Sequence, residues 1–368
     1  RTTEPRHVLA SQRFFGKLQE NGYVYKGVYE GWYDVSSETF YKETDLVDGK
    51  SPDGNAVRWV SEENWFFKLS AYQARLEAWL SQDPSPVQPA FRRNEMLGFV
   101  RQGLEDFSIS REGAGWGIPF PIRADGTSAI AHDGTADPST GTIYVWYDAL
   151  INYLTGAGFP MSPDGAPWWP ADLQIIGKDI NRFHSIFWPA MLWSAGLEAP
   201  KQIWVHGWLL SSGERMSKSR GNFLDPDEAV AALGADGVRF VALREVPFDR
   251  DGEVSWDSII RRYNSELAND FGNLVNRAVT MAQRSFPDAA PPPRAAATSP
   301  LGIAWAVTRT RACDAIGQVA LHEWLGALWE LVGTANRFVD SEKPWELAKA
   351  ARDGDAAAHE QLSGVLGD

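Results

Sequence analysis

Gly213-Glu214-Arg215-Met216-Ser217-Lys218-Ser219-Arg220-Gly221-Asn222 packs three cations and two hydroxyls between two glycines. Three positive side chains within six residues repel one another unless an anion lies among them, and hydroxyls and exposed backbone N–H groups are natural phosphate donors. The composition suits a loop that closes over a polyphosphate. A cationic run can equally be a solvated surface loop, so its surroundings decide between the two. Just upstream, Thr142–Trp146 reads as a strand, Asp148–Gly156 as a helix, Leu173–Ile176 as a strand, Asn181–Ala195 as a helix and Gln202–His206 as a strand. Strand and helix alternating at this spacing predict an α/β fold with a parallel sheet and ligands at the carboxyl ends of its strands.

Working outward, residues 1–22 read as a helix with Val8, Phe14, Phe15 and Leu18 on one side and Asn21-Gly22 as its stop. Residues 23–60 alternate aromatic and polar positions and are broken by Asp48-Gly49 and Asp53-Gly54, which predicts a small β-rich module with hairpin turns. A helical stretch over Asn64–Leu80 ends at Pro84, Pro86 and Pro89, and Arg123–Thr142 reads as a polar surface insertion. Beyond Pro247 the pattern is helical, interrupted by a linker over Phe286–Pro300, and no internal repeat is present.

The whole chain sets limits. Its 368 residues suffice for two or three domains with sizeable cores. No run of eighteen apolar residues occurs, so no membrane partner is expected. A single cysteine, Cys313, excludes an internal disulfide and a Cys-based zinc cluster, and it fits a reducing compartment such as the cytoplasm or an organellar matrix. It lies in an Ala-rich helical segment, where a core position is expected. The net charge of −13 argues against indiscriminate nucleic acid binding, although local basic strips can still dock a large RNA.

The cationic loop resembles the Lys-Met-Ser-Lys-Ser signature of class I aminoacyl-tRNA synthetases, with Arg215 and Lys218 in the two lysine positions. The resemblance implies an ATP-binding, catalytic loop in which Lys218 has the central role, Arg215 a supporting one, and Met216, Ser217 and Ser219 complete the set. Three further segments are similar to methionyl-tRNA synthetases. In Tyr144-Val145-Trp146-Tyr147-Asp148-Ala149-Leu150-Ile151-Asn152-Tyr153, the resemblance implies that Trp146, Ala149 and Tyr153 line a methionine pocket, where an aromatic wall suits a polarizable thioether. The same rings could serve as ordinary sheet-to-helix core. In Ile175-Ile176-Gly177-Lys178-Asp179-Ile180-Asn181-Arg182-Phe183-His184, a strand ends in Gly and enters a helix, a junction that offers N–H groups to anions. By resemblance Gly177 and Asp179 meet the adenosine of ATP, while Ile180 and His184 complete the methionine pocket.

The third segment is the helix over Ser258–Arg284, with Ile260, Tyr263, Leu267, Phe271, Leu274, Ala278 and Ala282 as its expected buried stripe. Asn269, Asn273 and Arg277 stand at i, i+4 and i+8, a polar ladder able to meet the edges of unstacked RNA bases. In the family such a ladder reads the CAU anticodon of tRNA(Met), together with a Pro-Trp pair that here is Pro344-Trp345. Read alone, Trp345 is an ordinary helix-start core residue.

Two features depart from the family pattern. The six histidines, at 7, 132, 184, 206, 322 and 359, contain no His-x-Gly-His pair, so the first half of the nucleotide fold is expected to be missing and the chain alone inactive. Many relatives carry a zinc knuckle with Cys-x-x-Cys pairs, but here Asp34 and Ser37 stand at those positions, so no structural zinc or other protein-bound metal is expected. The resulting expectation is a connective module over 1–122, the second Rossmann-like catalytic half over 123–246 and a helical anticodon-binding bundle over 247–368. It implies a monomeric methionine–tRNA ligase using ATP with Mg2+, methionine and tRNA(Met). A non-catalytic tRNA-binding derivative remains an alternative, and a small-molecule nucleotidyltransferase is a further one that would not need the Asn269, Asn273, Arg277 and Trp345 set.

Overall fold

The computed structural model describes residues 1–36, 39–111, 116–123, 125–130, 137–161, 166–216, 224–295 and 297–368. It divides into two compact units, Arg1–Val205 and His206–Asp368.

The first unit opens with α1 (Pro5–Glu20), a helix that starts at a proline where no N–H is needed and buries Phe14, Phe15 and Leu18 completely. The aromatic alternation that follows forms β1 (Val24–Asp34), β2 (Thr39–Tyr41) and β3 (Val57–Phe67). With β5 (Phe107–Ser108) they make a four-stranded sheet in the order β2-β1-β3-β5, and Val24 faces Phe67 while Trp32 faces Trp59 across the long antiparallel ribbon. Asn64–Phe67 therefore ends a strand; the helical expectation over Asn64–Leu80 holds only for the short turn at Leu69–Tyr72 and for α2 (Gln73–Leu80). Trp65, Phe66 and Phe67 are buried, and bulky aromatic residues pack well on a pleated surface.

Next comes β4 (Val87–Gln88), followed by α3 (Ala90–Arg101), a helix whose weak amphipathicity left no clear period in the sequence. A two-stranded piece joins β6 (Ser110–Arg111) to β7 (Thr142–Ile143). The expected strand through Trp146 stops at Ile143, because α4 (Val145–Gly156) has already begun. Strand β8 (Gln174–Gly177) then leads through a single 3-10 turn and a π-helical turn over Phe183–Phe187 into α5 (Trp188–Ser194). With β9 (Ile203–His206) it forms a three-stranded sheet in the order β4-β9-β8, in which β4 and β9 run parallel. One continuous core runs from α1 through Ile151, Trp188 and Val205.

The second unit begins with a hairpin of β10 (Leu209–Ser211) and β11 (Glu214–Arg215), and β12 (Gly252–Glu253) lies parallel to β10. Ser212 and Gly213 both have positive φ, 56° and 79°, as a two-residue hairpin turn requires. Helices follow: α6 (Pro226–Arg244), α7 (Trp256–Arg262), a π-helical stretch over Tyr263–Gly272, α8 (Asn273–Ser285), α9 (Pro300–Gly317), α10 (Leu321–Glu342), α11 (Pro344–Arg352) and α12 (Ala356–Gly367). Their core gathers Phe240, Val241, Val246, Val254, Ile259 and Leu325. The expected buried stripe along Ser258–Arg284 is corrected: Ile260 and Phe271 are 47% and 45% exposed, and no residue of the π stretch or α8 is fully buried. The wider i→i+5 turns of the π stretch rotate successive residues off a 3.6 period, so the apolar positions do not stay on one face. Cys313 is also corrected, since its position on α9 is exposed. Among the described residues no helix is long and apolar enough to cross a membrane.

Candidate functional site

In the first unit, α4 and the segment after β8 face each other across a cavity of about 330 Å³. Its lining includes Trp146, Ala149 and Tyr153 from α4 with Ile180, Phe183 and His184 from the other side. All five residues expected in the methionine pocket thus share one cavity. Trp146 and Tyr153 are 44% and 37% exposed, so neither is closed core, whereas His184 is 5% exposed. The Trp146 and Phe183 rings stack with centroids 5.5 Å apart. Phe183 was missed in the sequence; its position three residues after Ile180 on the same winding segment was the available signal.

The polar end of the cavity is a hydrogen-bonded pair. The Ile180 carbonyl lies 3.1 Å from His184 Nδ1 and can only accept, so Nδ1 carries the proton. The Tyr153 hydroxyl, 2.9 Å from Nε2, therefore donates to it. Burial lowers the His184 pKa, with the Ile180 bond opposing, and raises that of Tyr153. Both shifts favour the neutral form of the two groups.

Asp148, between Trp146 and Ala149 in sequence, is 6% exposed, and its Oδ1 has no hydrogen-bond partner among the described residues. Burial raises its pKa from 3.8 to about 6. Gly177 ends β8 with extended backbone and caps the 3-10 turn that carries Asp179 in its first turn. Asp179 is exposed at the carboxyl end of that strand.

In the second unit, the Arg215 guanidinium sits over the Trp208 ring, 4.6 Å from its centroid, and Met216 packs against the Phe240 core. The Gly213 N–H donates to Glu253 Oε1 at 2.6 Å and ties the hairpin turn down. Ser217, Lys218 and Ser219 lie outside the described residues. Asn269 ends up on the π stretch, with Asn273 and Arg277 on α8; the two asparagines are exposed and Arg277 is half-buried. Arg277 donates through Nη2 to Asn336 Oδ1 at 2.6 Å and through Nη1 to Asp340 at 3.2 Å, both on α10. Pro344 is buried at the start of α11, just after Lys343 turns the chain with φ 46°. Trp345 is 45% exposed, so the closed-core reading does not hold. Since α11 packs against α8, the ladder and Trp345 belong to one region of this unit.

A family model described as tRNA synthetases class I (M) matches residues 1–57 and 42–279. The methionine–tRNA ligase of Caldanaerobacter subterraneus subsp. tengcongensis is 42% identical over 355 residues, 95% of this chain and 53% of that protein. That of Mycobacterium tuberculosis is 40% identical over 97% of this chain and 68% of its own length. A crystal structure of Mycobacterium tuberculosis methionyl-tRNA synthetase bound by methionyl-adenylate superposes with a TM-score of 0.87 at 39% identity, covering all of this chain and 70% of that one. The chain belongs to the class I tRNA synthetases, in the group designated M. It spans about half to two thirds of the length of the curated methionine–tRNA ligases it matches.

Proposed function

We propose that this chain carries the methionine pocket, part of the ATP site and the anticodon-reading face of a methionine–tRNA ligase. The observation that supports this reading best is the shared cavity of Trp146, Ala149, Tyr153, Ile180 and His184, with its neutral Tyr153–His184 pair. A methionine side chain would lie along the Trp146–Phe183 wall, gaining sulfur contacts with the rings. Gly177 and Asp179 would meet adenosine and ribose, and Arg215, Met216, Ser217, Lys218 and Ser219 would hold the phosphates. Mg2+, arriving with ATP, would offset charge on the leaving pyrophosphate.

In that reaction the methionine carboxylate attacks the α-phosphorus of ATP and displaces pyrophosphate to give methionyl adenylate, and the terminal ribose hydroxyl of tRNA(Met) then attacks the methionyl carbonyl carbon, forming the ester and releasing AMP. Asn269, Asn273 and Arg277 would select the CAU anticodon through base-edge bonds, and Pro344 and Trp345 would add one base stack that contributes affinity. The division into a connective module over 1–122, a catalytic half over 123–246 and an anticodon bundle over 247–368 is a functional proposal of the same kind. Activity of the 368-residue chain by itself is not part of it.

The test is Lys218→Ala in a chain extended to the length of its relatives. ATP–pyrophosphate exchange should slow by roughly 100-fold or more, the cost of one transition-state donor, while methionine affinity stays nearly the same. Unchanged exchange would remove Lys218 from the mechanism.

A further inference from the structure

The distal end of the β1–β3 ribbon is where the family resemblance implies a zinc knuckle, and the donors among its described residues do not fit one; Ser37, at the second cysteine position, lies outside the described residues. A zinc site needs four convergent N, O or S donors with lone pairs to spare. Asp34 is completely buried, and its carboxylate is already engaged. Oδ1 accepts from the Ser36 N–H at 2.8 Å, and Oδ2 accepts from the Asn55 Nδ2 amide at 3.0 Å. The Ser51 hydroxyl, on a residue 1% exposed, accepts the Asn55 N–H at 3.2 Å, while the Ser51 N–H donates to the Asn55 carbonyl at 3.0 Å. Gly54, at φ +82°, closes the same turn by donating to the Ser51 carbonyl at 2.8 Å. The only thiol is Cys313, in the other unit.

Trp32 and Trp59 pair edge to face at 5.5 Å two register pairs inside the ribbon end, and Trp59 is 54% exposed. A buried carboxylate, by contrast, is costly unless hydrogen-bonded, and charge-assisted bonds are the strong ones.

We propose that Asp34 and Asn55 form a metal-independent clasp that locks the 51–55 turn onto the end of β1, in the place of a structural ion. The amide Nδ2 must face the carboxylate, because only it can donate. The clasp makes one polar cluster out of a strand end and a turn twenty residues later, so both should open together.

Hydrogen exchange of the amides of residues 51–56, measured in the 368-residue chain with and without chelator and with added zinc, tests this. Chelator and zinc should leave the rates unchanged. Asn55→Ala and Asp34→Asn should each speed exchange about tenfold or more, the scale of one lost bond to a charged group. The double variant Asp34→Asn with Asn55→Asp exchanges donor and acceptor and should restore protection to within a few-fold of the starting chain, even if either single variant folds poorly. Loss of protection on chelation, unchanged exchange in the single variants, or a double variant no better than the singles would each overturn the clasp.

Discussion

Asp148 is the residue whose chemistry its surroundings oppose most clearly. Its carboxyl is buried on the pocket helix with one oxygen unpartnered among the described residues and a pKa raised from 3.8 to about 6. Because the folded state holds that proton more tightly than the unfolded chain, the penalty is absent below pH 3.8, grows as pH rises, and is complete above about pH 6. Asp148→Asn should therefore raise stability by about 1 to 3 kcal/mol at pH 7.5 and by little at pH 4, read from urea midpoints. An equal effect at both pH values would show that burial of charge is not the cause. His184 has the opposite sign: its lowered pKa gives stability that is full above its ordinary 6.5 and is lost as pH falls below that value and through the lowered folded one. Tyr153→Phe removes the donor to His184 Nε2 and should cost about 1 kcal/mol, reduced by the exposure of the tyrosine; an unchanged urea midpoint would mean that the bond does not order the pocket. The five cavity positions were legible only through the family resemblance of the two segments that carry them. Asp148 and Asn55 were not, since a missing hydrogen bond and a contact across twenty residues leave no local pattern, and Phe183, although only three residues after Ile180, owes its place to a stack on Trp146 of another element.

The same limit appears in the elements. Strand β8 was readable from its apolar run and α1 from its apolar side, whereas the hairpin turn at Ser212-Gly213 was not expected, Gly213 reading only as the flank of a cationic loop. Where the sequence misled, tertiary packing had overridden periodicity: Asn64–Phe67 joined a sheet, Val145 opened a helix, and the π stretch over Tyr263–Gly272 broke the 3.6 count. That stretch is tied by partly buried ion pairs, Arg262 with Glu245 and Glu266 and Arg244 with Glu266 at 3.1 Å, none of which a helical count reveals. The ladder's last member is likewise fixed from another element, since Arg277 is held by Asn336 and Asp340 of α10. Arg277→Ala should lose discrimination between CAU and altered anticodons as well as affinity, because a guanidinium held in one orientation meets a base edge and not only a phosphate. Trp345→Ala should weaken CAU-containing RNA by about 1 to 3 kcal/mol without changing its discrimination, as the loss of one stack would. Filter binding at physiological salt separates the two outcomes, and a purely structural role for Trp345 would lower the melting temperature instead.

For the molecule as a whole, a net charge of −13 makes nonspecific attraction to RNA unfavourable, so any RNA binding should depend on a defined face. The cavity lies in one unit and the Asn269, Asn273 and Arg277 ladder in the other. What joins them is the proposal that both serve methionine. ATP–pyrophosphate exchange by the chain extended to the length of its relatives, run with each amino acid in turn, tests that claim most directly. Methionine should drive exchange at least 100-fold better than leucine or isoleucine, and Trp146→Ala should erode that preference. Exchange driven equally well by branched aliphatic amino acids, or no exchange with methionine, would contradict the assignment of the Trp146, Ala149, Tyr153, Ile180 and His184 cavity.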